Sequence, residues 1–285
     1  MASLKEVKGR IVTVTNTRKI TSAMKMVASA KLHKAQGAIA GMLPYEKRLH
    51  DMLTRLLDER ETLLWNTPRE VKRIALVVCS SNSSLCGGFN ANVIRQAKRW
   101  IEKHQALGKE NLLIYPIGKK IADAIQRMDY EAQGDFQHLG NKPSYEEASE
   151  LAQRLMDLFA HGEVDRVDLL YHHLKSTASQ VLTEEIYLPN PPSENTMGGM
   201  RATDYILEPS HEELLAMLLP KVLHLKLYTV LLESHASEHA SRTKAMQIAT
   251  DNANELIQEL TLMYNKTRQQ TITNELLDIV GGSMV

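Results

Sequence analysis

A glycine-rich segment is the first place in this chain where residue types and spacing could support chemistry. Cys86-Gly87-Gly88 follows an apolar run and precedes a helical pattern, which is where phosphate-binding loops lie in nucleotide-binding folds. The segment lacks both the Gly-Lys-Ser/Thr ending of a P-loop and the G-x-G-x-x-G spacing of a dinucleotide-binding loop. We therefore expect these glycines to permit a tight turn and close packing of helix on sheet, rather than to hold a nucleotide.

Histidines form the second group. His235 and His239 are four residues apart, which places both on one face of a helix at metal-ligand spacing, and His172 and His173 are adjacent. No cluster of Asp, Glu or Cys supplies a third ligand, and Glu238 falls on a neighbouring helix face. We expect His235 and His239 to lie on a solvated helix surface, and we predict no metal site and no cofactor.

The two cysteines, Cys79 and Cys86, are too few for a disulfide framework and favour a reducing compartment. A cysteine in a buried strand is usually inert, and Cys79 belongs to such a segment. The sequence also lacks a recognisable nucleophile–base pair or carboxylate dyad. We therefore expect no catalytic residues and no reaction catalysed by this chain alone. An enzyme would need a ligand in the Gly87-Gly88 loop, which titration with nucleotides would reveal.

The elements that position these residues are dominated by two long helical segments. From Lys221 to Val280 the chain runs 60 residues without Gly or Pro, which as one α-helix is about 90 Å long. Residues 1–60 also have a helical pattern, which starts at a capping box of Ser3 and Glu6. A helix of such length needs support along its side. We predict that the two ends of the chain pair as an antiparallel coiled coil.

Apolar periodicity predicts which faces of these helices pair. Spacings of three and four residues are typical of a coiled-coil seam. Pro44 is expected to kink the first helix without ending it, because the apolar period resumes beyond it. The predicted stripe residues are Leu4, Val7, Ile11, Val14, Thr17, Ile20, Ala23, Met24, Val27, Ala28 and Ala30 in the first helix, and Met246, Ala249, Ala253, Leu256, Leu260 and Met263 in the last.

Between the long helices, strand and helix patterns alternate, as is typical of an α/β layer domain with a mostly parallel sheet. A helix is predicted to start at a capping Ser144, with Glu147 three residues later. The predicted strands are Ile74–Cys79, Leu112–Ile117, Val167–Leu174 and an edge strand, Gln180–Tyr187. The predicted fold is α+β, a long antiparallel coiled coil of the N- and C-terminal helices with an inserted Rossmann-like α/β domain. The predicted domains are residues 1–60, 71–200 and 210–285.

Charge is balanced over the whole chain but not along it. Residues 1–45 contain eight Lys and Arg side chains against one acid, Glu6, a net charge of +7. Nucleic acid is disfavoured because no aromatic residue precedes Tyr45 to stack on bases. A membrane face is disfavoured because the apolar stripe is narrow, and no apolar run of about 20 residues indicates a membrane span. An acidic protein partner is our preferred interpretation; a plain solvated basic face is the alternative.

Four segments resemble the γ subunit of F-type ATP synthases, in order and across the whole chain. They are Lys19–Val27 (KITSAMKMV), Ser80–Asn90 (SSNSSLCGGFN), Ala245–Asn252 (AMQIATDN) and Tyr264–Glu275 (YNKTRQQTITNE). Ser84 stands where the family usually has Gly, and the tail, Ile279–Val285, departs from the common Ser-Gly-Ala-Ala ending. The Cys-containing regulatory insertion of the chloroplast type is absent, and without a transit peptide the expected source is bacterial.

The resemblance implies a non-catalytic rotor shaft. It would couple ion-driven rotation of a membrane c-ring to ATP synthesis or hydrolysis in a hexamer of α and β subunits. The implied partners are the α, β and ε subunits and the c-ring, with one copy of this chain and no nucleic acid. The implied location is peripheral, on the cytoplasmic face of the bacterial cell membrane. The alternative is a coiled-coil tether or adaptor whose α/β head binds an acidic protein.

The resemblance also implies contact residues. Lys19, Met24 and Lys25 would meet acidic loops near the mouth of the hexamer. The apolar tail from Ile272 to Val285 would turn in an apolar collar. The remaining expected contacts are Arg268, Gln269, Thr273 and Glu275 toward the hexamer, and Tyr205 and Glu208 toward the foot at the c-ring.

Overall fold

The computed structural model describes residues 3–56, 69–189, 208 and 210–282. The elements in chain order are α1 (Leu4–Leu56), β1 (Ile74–Cys79), α2 (Phe89–His104), β2 (Leu112–Ile117), α3 (Lys119–Arg127), α4 (Tyr145–Ala160), β3 (Arg166–Leu174), β4 (Gln180–Leu188) and α5 (His211–Gly282). Three 3-10 turns, at 105–107, 109–111 and 137–140, lie between them. The chain divides into two compact units, residues 1–29 with 242–285, and residues 30–241.

A four-stranded sheet is the centre of the 30–241 unit. Its strand order is β2-β1-β3-β4. β1 pairs in parallel with both β2 and β3, whereas β4 pairs antiparallel with β3 at one edge. The expected α/β layer with a mostly parallel sheet and β4 as an edge strand is therefore confirmed, and the structure adds that β4 is antiparallel. Every residue of β1 is buried because helices cover both faces of the sheet, which explains its unbroken apolar sequence.

The two faces of the sheet belong to two separate cores. Ala75 and Val77 face a core shared with α4 and with parts of both long helices, and Leu76 and Val78 face a core shared with α2 and α3. α5 contains an 18-residue stretch with a mean hydropathy of 1.5, apolar enough by composition for a membrane span, yet half of it is buried inside the protein. The apolar side chains of α5 between Leu215 and Leu231 pack in the first core.

A buried carboxylate ties α2 to β3. Asp168 is fully buried and accepts hydrogen bonds from Trp100 Nε1 at 2.8 Å and Arg166 Nε at 2.7 Å. A buried charge is tolerated only when it is paired and hydrogen-bonded, and these two donors meet that need. The pairing fixes where α2 packs along the sheet.

Small side chains allow α1 and α5 to pack closely within the 30–241 unit. Ala35 of α1 and Ala236 and Ala240 of α5 are buried together. α1 continues past Pro44 to Leu56, which confirms that this proline does not end the helix. The full contact set is Leu32, Ala35, Ile39, Leu232, Ala236 and Ala240.

The same two helices pair antiparallel in the other unit. Arg18 Nη1 donates to Asn254 Oδ1 at 3.2 Å, and the hydroxyls of Thr21 and Thr250 lie 2.8 Å apart. Residue numbers rise along α1 as they fall along α5. The predicted antiparallel coiled coil is therefore confirmed.

The seam of this coiled coil differs from the predicted one at two of its six positions. Met246, Ala253 and Leu260 are buried as expected, but Leu256 and Met263 are 43% and 52% exposed. Ile257 and Tyr264 are partly buried in their place, and the predicted Ala249 is partly buried together with its neighbour Thr250. The prediction was wrong at these positions because apolar residues occur side by side at 256–257 and 263–264, so spacing alone does not choose between them.

The N-terminal helix shows the same kind of correction. Leu4, Val7, Ile11 and Val14 lie on the less exposed side as predicted, but the following stripe is displaced. Ile20 and Val27 are 60% and 59% exposed, whereas Ala28 is buried. Thr17, Ala23 and Ala30 are also exposed. The polar side chains of Arg18, Thr21 and Lys25 continue the seven-residue repeat, which an apolar pattern does not detect.

One of the two predicted helix caps forms. The Glu6 backbone N–H donates to Ser3 Oγ at 3.2 Å, as the capping box requires. Ser144 occupies the N-cap position of α4 but makes no side-chain cap hydrogen bond. The Glu147 carboxylate instead contacts His138 Nε2 in the preceding turn. Glu147 therefore contacts a residue outside α4 in place of the capping-box contact with Ser144.

Candidate functional site

The expected contact residues of α1 lie on the helix pair, with different exposure. Lys19 is exposed, whereas Met24 and Lys25 are partly buried. Lys25 follows Arg18 by one seven-residue repeat and so faces the side of α5. Of the three residues, Lys19 is therefore the most accessible to a partner.

The expected contact residues of α5 lie where the helix is single. Because Arg18 is opposite Asn254, the first residue of α1, Leu4, is opposite about residue 268. Arg268, Gln269, Thr273 and Glu275 are all exposed, as are all described residues from 272 onward for which side-chain exposure is given. Thr273 Oγ1 donates to the Gln269 carbonyl at 2.9 Å, a bond within the helix. This end of α5 extends beyond α1 with its side chains uncovered.

The structure does not bring the two groups of expected contacts together. Lys19 is next to Arg18, which contacts Asn254. Arg268 is 14 residues beyond Asn254, about 21 Å along the helix axis at 1.5 Å per residue. The two groups thus form two separate contact levels on one helix pair. A partner that meets both must be longer than a single loop.

The sequence predicted the exposed apolar tail from Ile272 onward, but it missed the exposed apolar side chains on the rest of this unit. Large apolar side chains that a buried core would cover are exposed on both helices. Monomeric proteins rarely leave extended apolar surface uncovered, so such a surface indicates an interaction site. Its members, between 43% and 72% exposed, are Val12, Ile20, Met26 and Val27 of α1, and Ile248, Leu256, Leu262, Met263, Ile272, Leu276, Leu277, Ile279 and Val280 of α5. Adjacent apolar residues such as 256 and 257 could have revealed this surface, because only one of two neighbours can face the seam and the other must be exposed.

The glycine-rich loop is held by its own side chains. Asn90 Oδ1 accepts from the Ser81 backbone N–H at 3.1 Å, and Asn82 Oδ1 accepts from the Lys119 backbone N–H at 2.7 Å. Gly87 has a φ of +59°, which favours glycine in a tight turn. A Cβ on Gly118 would lie 2.3 Å from the Ser80 carbonyl oxygen, so close packing of this loop requires glycine there. These polar groups bind one another.

The expectation that His235 and His239 lie on a solvated helix surface was wrong for His239, which is buried, whereas His235 is partly exposed. His239 is 5% exposed and its Nε2 lies 3.1 Å from His235 Nε2. His172 is buried, stacks on Phe89 with ring centroids 4.3 Å apart, and its Nδ1 has no hydrogen-bond partner. Burial lowers the pKa of His172 to about 4. Among the described residues, no group of three or more His, Cys, Asp or Glu side chains is arranged to hold a metal ion.

Other titratable groups around the sheet are buried or paired with a neighbouring side chain. Burial raises the pKa of the Cys79 thiol to about 12, which keeps it protonated at neutral pH. His173 Nδ1 lies 2.7 Å from Glu233 Oε2. The pKa of Glu233 is raised, mainly by burial, although the His173 contact lowers it. Of the two residues expected at the foot, Glu208 is exposed and Tyr205 lies outside the described residues.

Known proteins resemble this chain over its full length. A family model described as ATP synthase matches residues 3–284. The ATP synthase gamma chain of Phocaeicola vulgatus is 60% identical, that of Bacteroides thetaiotaomicron 58%, each with all of both chains aligned. The ATP synthase gamma chain of Flavobacterium johnsoniae is 42% identical over 99% of this chain and 98% of its own.

Solved structures share the fold at lower identity. A chain of the Euglena gracilis mitochondrial ATP synthase, in a structure of its OSCP, F1 and c-ring, has a TM-score of 0.64 and 20% identity, with 99% of this chain and 93% of that one aligned. A chain from the central stalk and c-ring structure of the Tetrahymena thermophila mitochondrial ATP synthase has a TM-score of 0.58 and 23% identity, with 81% and 99% aligned. With these relatives and this fold, the chain belongs to the ATP synthase gamma chain family.

Proposed function

We propose that this chain is the central rotor shaft of an F-type ATP synthase. It couples ion-driven rotation of the membrane c-ring to ATP synthesis or hydrolysis in the hexamer of α and β subunits. The observation that carries the proposal is full-length identity of up to 60% to curated gamma chains. The antiparallel helix pair, with apolar side chains exposed on its outer surface, is the structural feature that such a role requires.

The uncovered end of α5 suits a rotating contact. Leu276, Leu277 and Ile279 are between 58% and 69% exposed. Apolar contacts are non-directional, so a shaft can turn against an apolar collar without breaking a fixed set of hydrogen bonds. We propose that this tail turns within such a collar in the hexamer.

The basic segment suits an acidic partner surface. Lys19 is exposed, and residues 1–45 carry a net charge of +7. Charges of one sign on a partner attract a surface of the other sign and set its orientation. We propose that Lys19, Met24 and Lys25 contact acidic loops near the mouth of the hexamer. Arg268, Gln269, Thr273 and Glu275 contact a second level, about 20 Å away along the axis.

In this proposal the chain has no catalytic residues, and ATP binds only to the hexamer. The internal bonding of the Ser80–Asn90 loop supports this division, because Asn82 and Asn90 already bind backbone groups. The partners are the α, β and ε subunits and the c-ring, with the chain in single copy. The location is the cytoplasmic face of the bacterial membrane, as a peripheral protein, with Tyr205 and Glu208 near the c-ring.

The second candidate is a tether or adaptor that binds another acidic protein. It would need the paired helices but not the side chains of the four family-like segments. Substituting exposed residues of those segments should therefore leave a tether functional and impair a rotor shaft.

The direct test is co-expression of this chain with the α and β subunits of the same organism, followed by size-exclusion chromatography and an ATPase assay. The proposal predicts a stable complex whose hydrolysis depends on this chain. A chain that elutes alone and leaves ATPase activity unchanged would favour the tether. Omission of this chain from the same co-expression provides the control.

A further inference from the structure

We propose that His235 and His239 form a binding site for a divalent transition-metal ion, with Zn²⁺ as the best fit. The segment His235-Ala236-Ser237-Glu238-His239 has the order H-x-x-E-H, which is one arrangement of zinc-binding histidines on a helix. The four-residue spacing puts both imidazoles on one helix face. This proposal is independent of the rotor function and departs from the absence of metal expected from the sequence.

The ring geometry fits ligation of a shared ion. The two Nε2 atoms lie 3.1 Å apart, and the ring planes are at 89° with centroids separated by 4.5 Å. Two nitrogens, each about 2.0–2.1 Å from Zn²⁺ with a tetrahedral angle between them, lie about 3.3 Å apart. The separation thus suits two ligands of one ion, which would replace the proton that the two nitrogens now share in a hydrogen bond.

The surrounding packing holds the pair in this arrangement. His239 is 5% exposed, and of residues 231–240 only His235 is not classed as buried. Ala236 packs against α1, and Ser237 Oγ donates to the His172 carbonyl of β3 at 3.0 Å. These two contacts hold this part of α5 between α1 and β3. Ligands on a rigid, packed helix lose little conformational freedom when they bind an ion, which favours affinity.

The same surroundings argue against hydrolytic chemistry at this site. Zinc peptidases need a third protein ligand and space for a substrate. Among the described residues no third ligand joins the pair. The neighbouring cavity, lined by residues that include Ser80, His235 and Glu238, has a volume of about 10 Å³, room for about one water molecule. This cavity is too small for an ion with its waters, but His235 is partly exposed, so the remaining ligands would be waters on the solvent side of His235.

The test is calorimetric titration of ZnCl₂ and NiCl₂ into the full-length chain, purified without a histidine tag. Imidazole suits both ions, and only its neutral form binds them. We expect one equivalent of metal to bind, with weaker binding at pH 5.5 than at pH 7.5. His239→Gln and His235→Gln should each weaken binding at least ten-fold. The matched control is His33→Gln, which removes an exposed imidazole from α1 and should leave binding unchanged.

Equal affinity in His239→Gln, His33→Gln and the unsubstituted chain would overturn the proposal, as would the absence of binding by the unsubstituted chain. If either variant at the pair fails to fold, X-ray absorption spectroscopy of the zinc-loaded unsubstituted chain decides. Two imidazole nitrogens in the first coordination shell, about 2.0–2.1 Å from zinc, support the site. A shell without two imidazoles overturns it.

Discussion

The hydroxyl oxygens of Thr21 and Thr250 lie 2.8 Å apart across the antiparallel pair of α1 and α5. Each is also bonded within its own helix, since Thr21 Oγ1 donates to the Arg18 carbonyl and Thr250 Oγ1 to the Met246 carbonyl. Each hydroxyl has one proton, so at any one time one threonine donates across the pair and the other donates to the carbonyl of its own helix. Buried polar contacts of this kind are best known for fixing the register of a coiled coil.

Replacing either threonine by valine should therefore lower the free energy of unfolding modestly. We expect a loss of about 1 kcal/mol for Thr21→Val or Thr250→Val, because a buried hydrogen bond is lost while the remaining hydroxyl keeps its own helix carbonyl. The double variant should lose less than the sum of the single variants, by about 0.5–1 kcal/mol. Urea unfolding of the four proteins measures this coupling.

Thr261→Val is the matched control for that cycle. Thr261 Oγ1 donates to the Ile257 carbonyl of its own helix, and its side chain is exposed. Its replacement should not couple to Thr21→Val. Additive effects at Thr21 and Thr250 would show that the hydroxyl contact contributes nothing across the helix pair.

His172 should make stability depend on pH. Burial lowers its pKa in the folded chain to about 4, below the ordinary value of 6.5. Between these values the unfolded chain binds a proton that the folded chain does not, so stability falls as the pH drops from 6.5 toward 4. The loss over this window is at most about 3 kcal/mol.

His172→Phe should remove this part of the pH dependence. Phenylalanine keeps a ring against Phe89, where the two rings are now 4.3 Å apart, and removes the Nδ1 atom that has no partner. Urea unfolding at pH 7.5 and pH 5 compares this variant with the unsubstituted chain. His33→Gln, at an exposed position, should retain the full dependence. Equal pH dependence in His172→Phe and the unsubstituted chain would refute the assignment.

Met24→Lys should alter coupling in the assembled enzyme. The proposal puts Met24 close to acidic loops of the hexamer, so an added ammonium group would strengthen that contact and resist rotation. We expect a lower ratio of proton transport to ATP hydrolysis in membrane vesicles. The matched control is Met24→Gln, which changes the same side chain without adding a charge and should leave the ratio unchanged. An unchanged ratio in Met24→Lys would show that this placement is wrong.

Removal of the last few residues, from Ser283 on, should leave assembly with the α and β subunits intact. Apolar side chains earlier in the tail, such as Leu276 and Leu277, remain available for the proposed collar, and no specific bond is required of the end. Co-purification of the truncated chain with the hexamer measures assembly. Complete loss of the complex would contradict the proposal that the tail makes only non-specific apolar contacts with the collar.

Local sequence determined the elements of this protein. The absence of Gly and Pro from Lys221 to Val280 predicted one long helix, because those residues are the strongest helix breakers. The unbroken apolar run of Ile74–Cys79 predicted a strand covered on both faces. The alternation of β4 predicted an edge strand, whereas its antiparallel direction was visible only in the structure. Each of these features depends on the residues of one segment, so it can be predicted from the sequence alone.

Tertiary structure alone decided which of two adjacent residues faces a partner. Ile257 is partly buried at the seam, whereas Leu256 is 43% exposed, although both are apolar. They lie four and three residues after the buried Ala253, and a helical repeat allows either spacing. The burial of His239 depends likewise on segments distant in sequence that surround α5. Periodicity describes the faces of one helix, whereas contacts also depend on the rotation and register of its neighbour. That is why the sequence predicted a shaft but misassigned part of its seam, and only the assembled helices show which apolar residues remain for a partner.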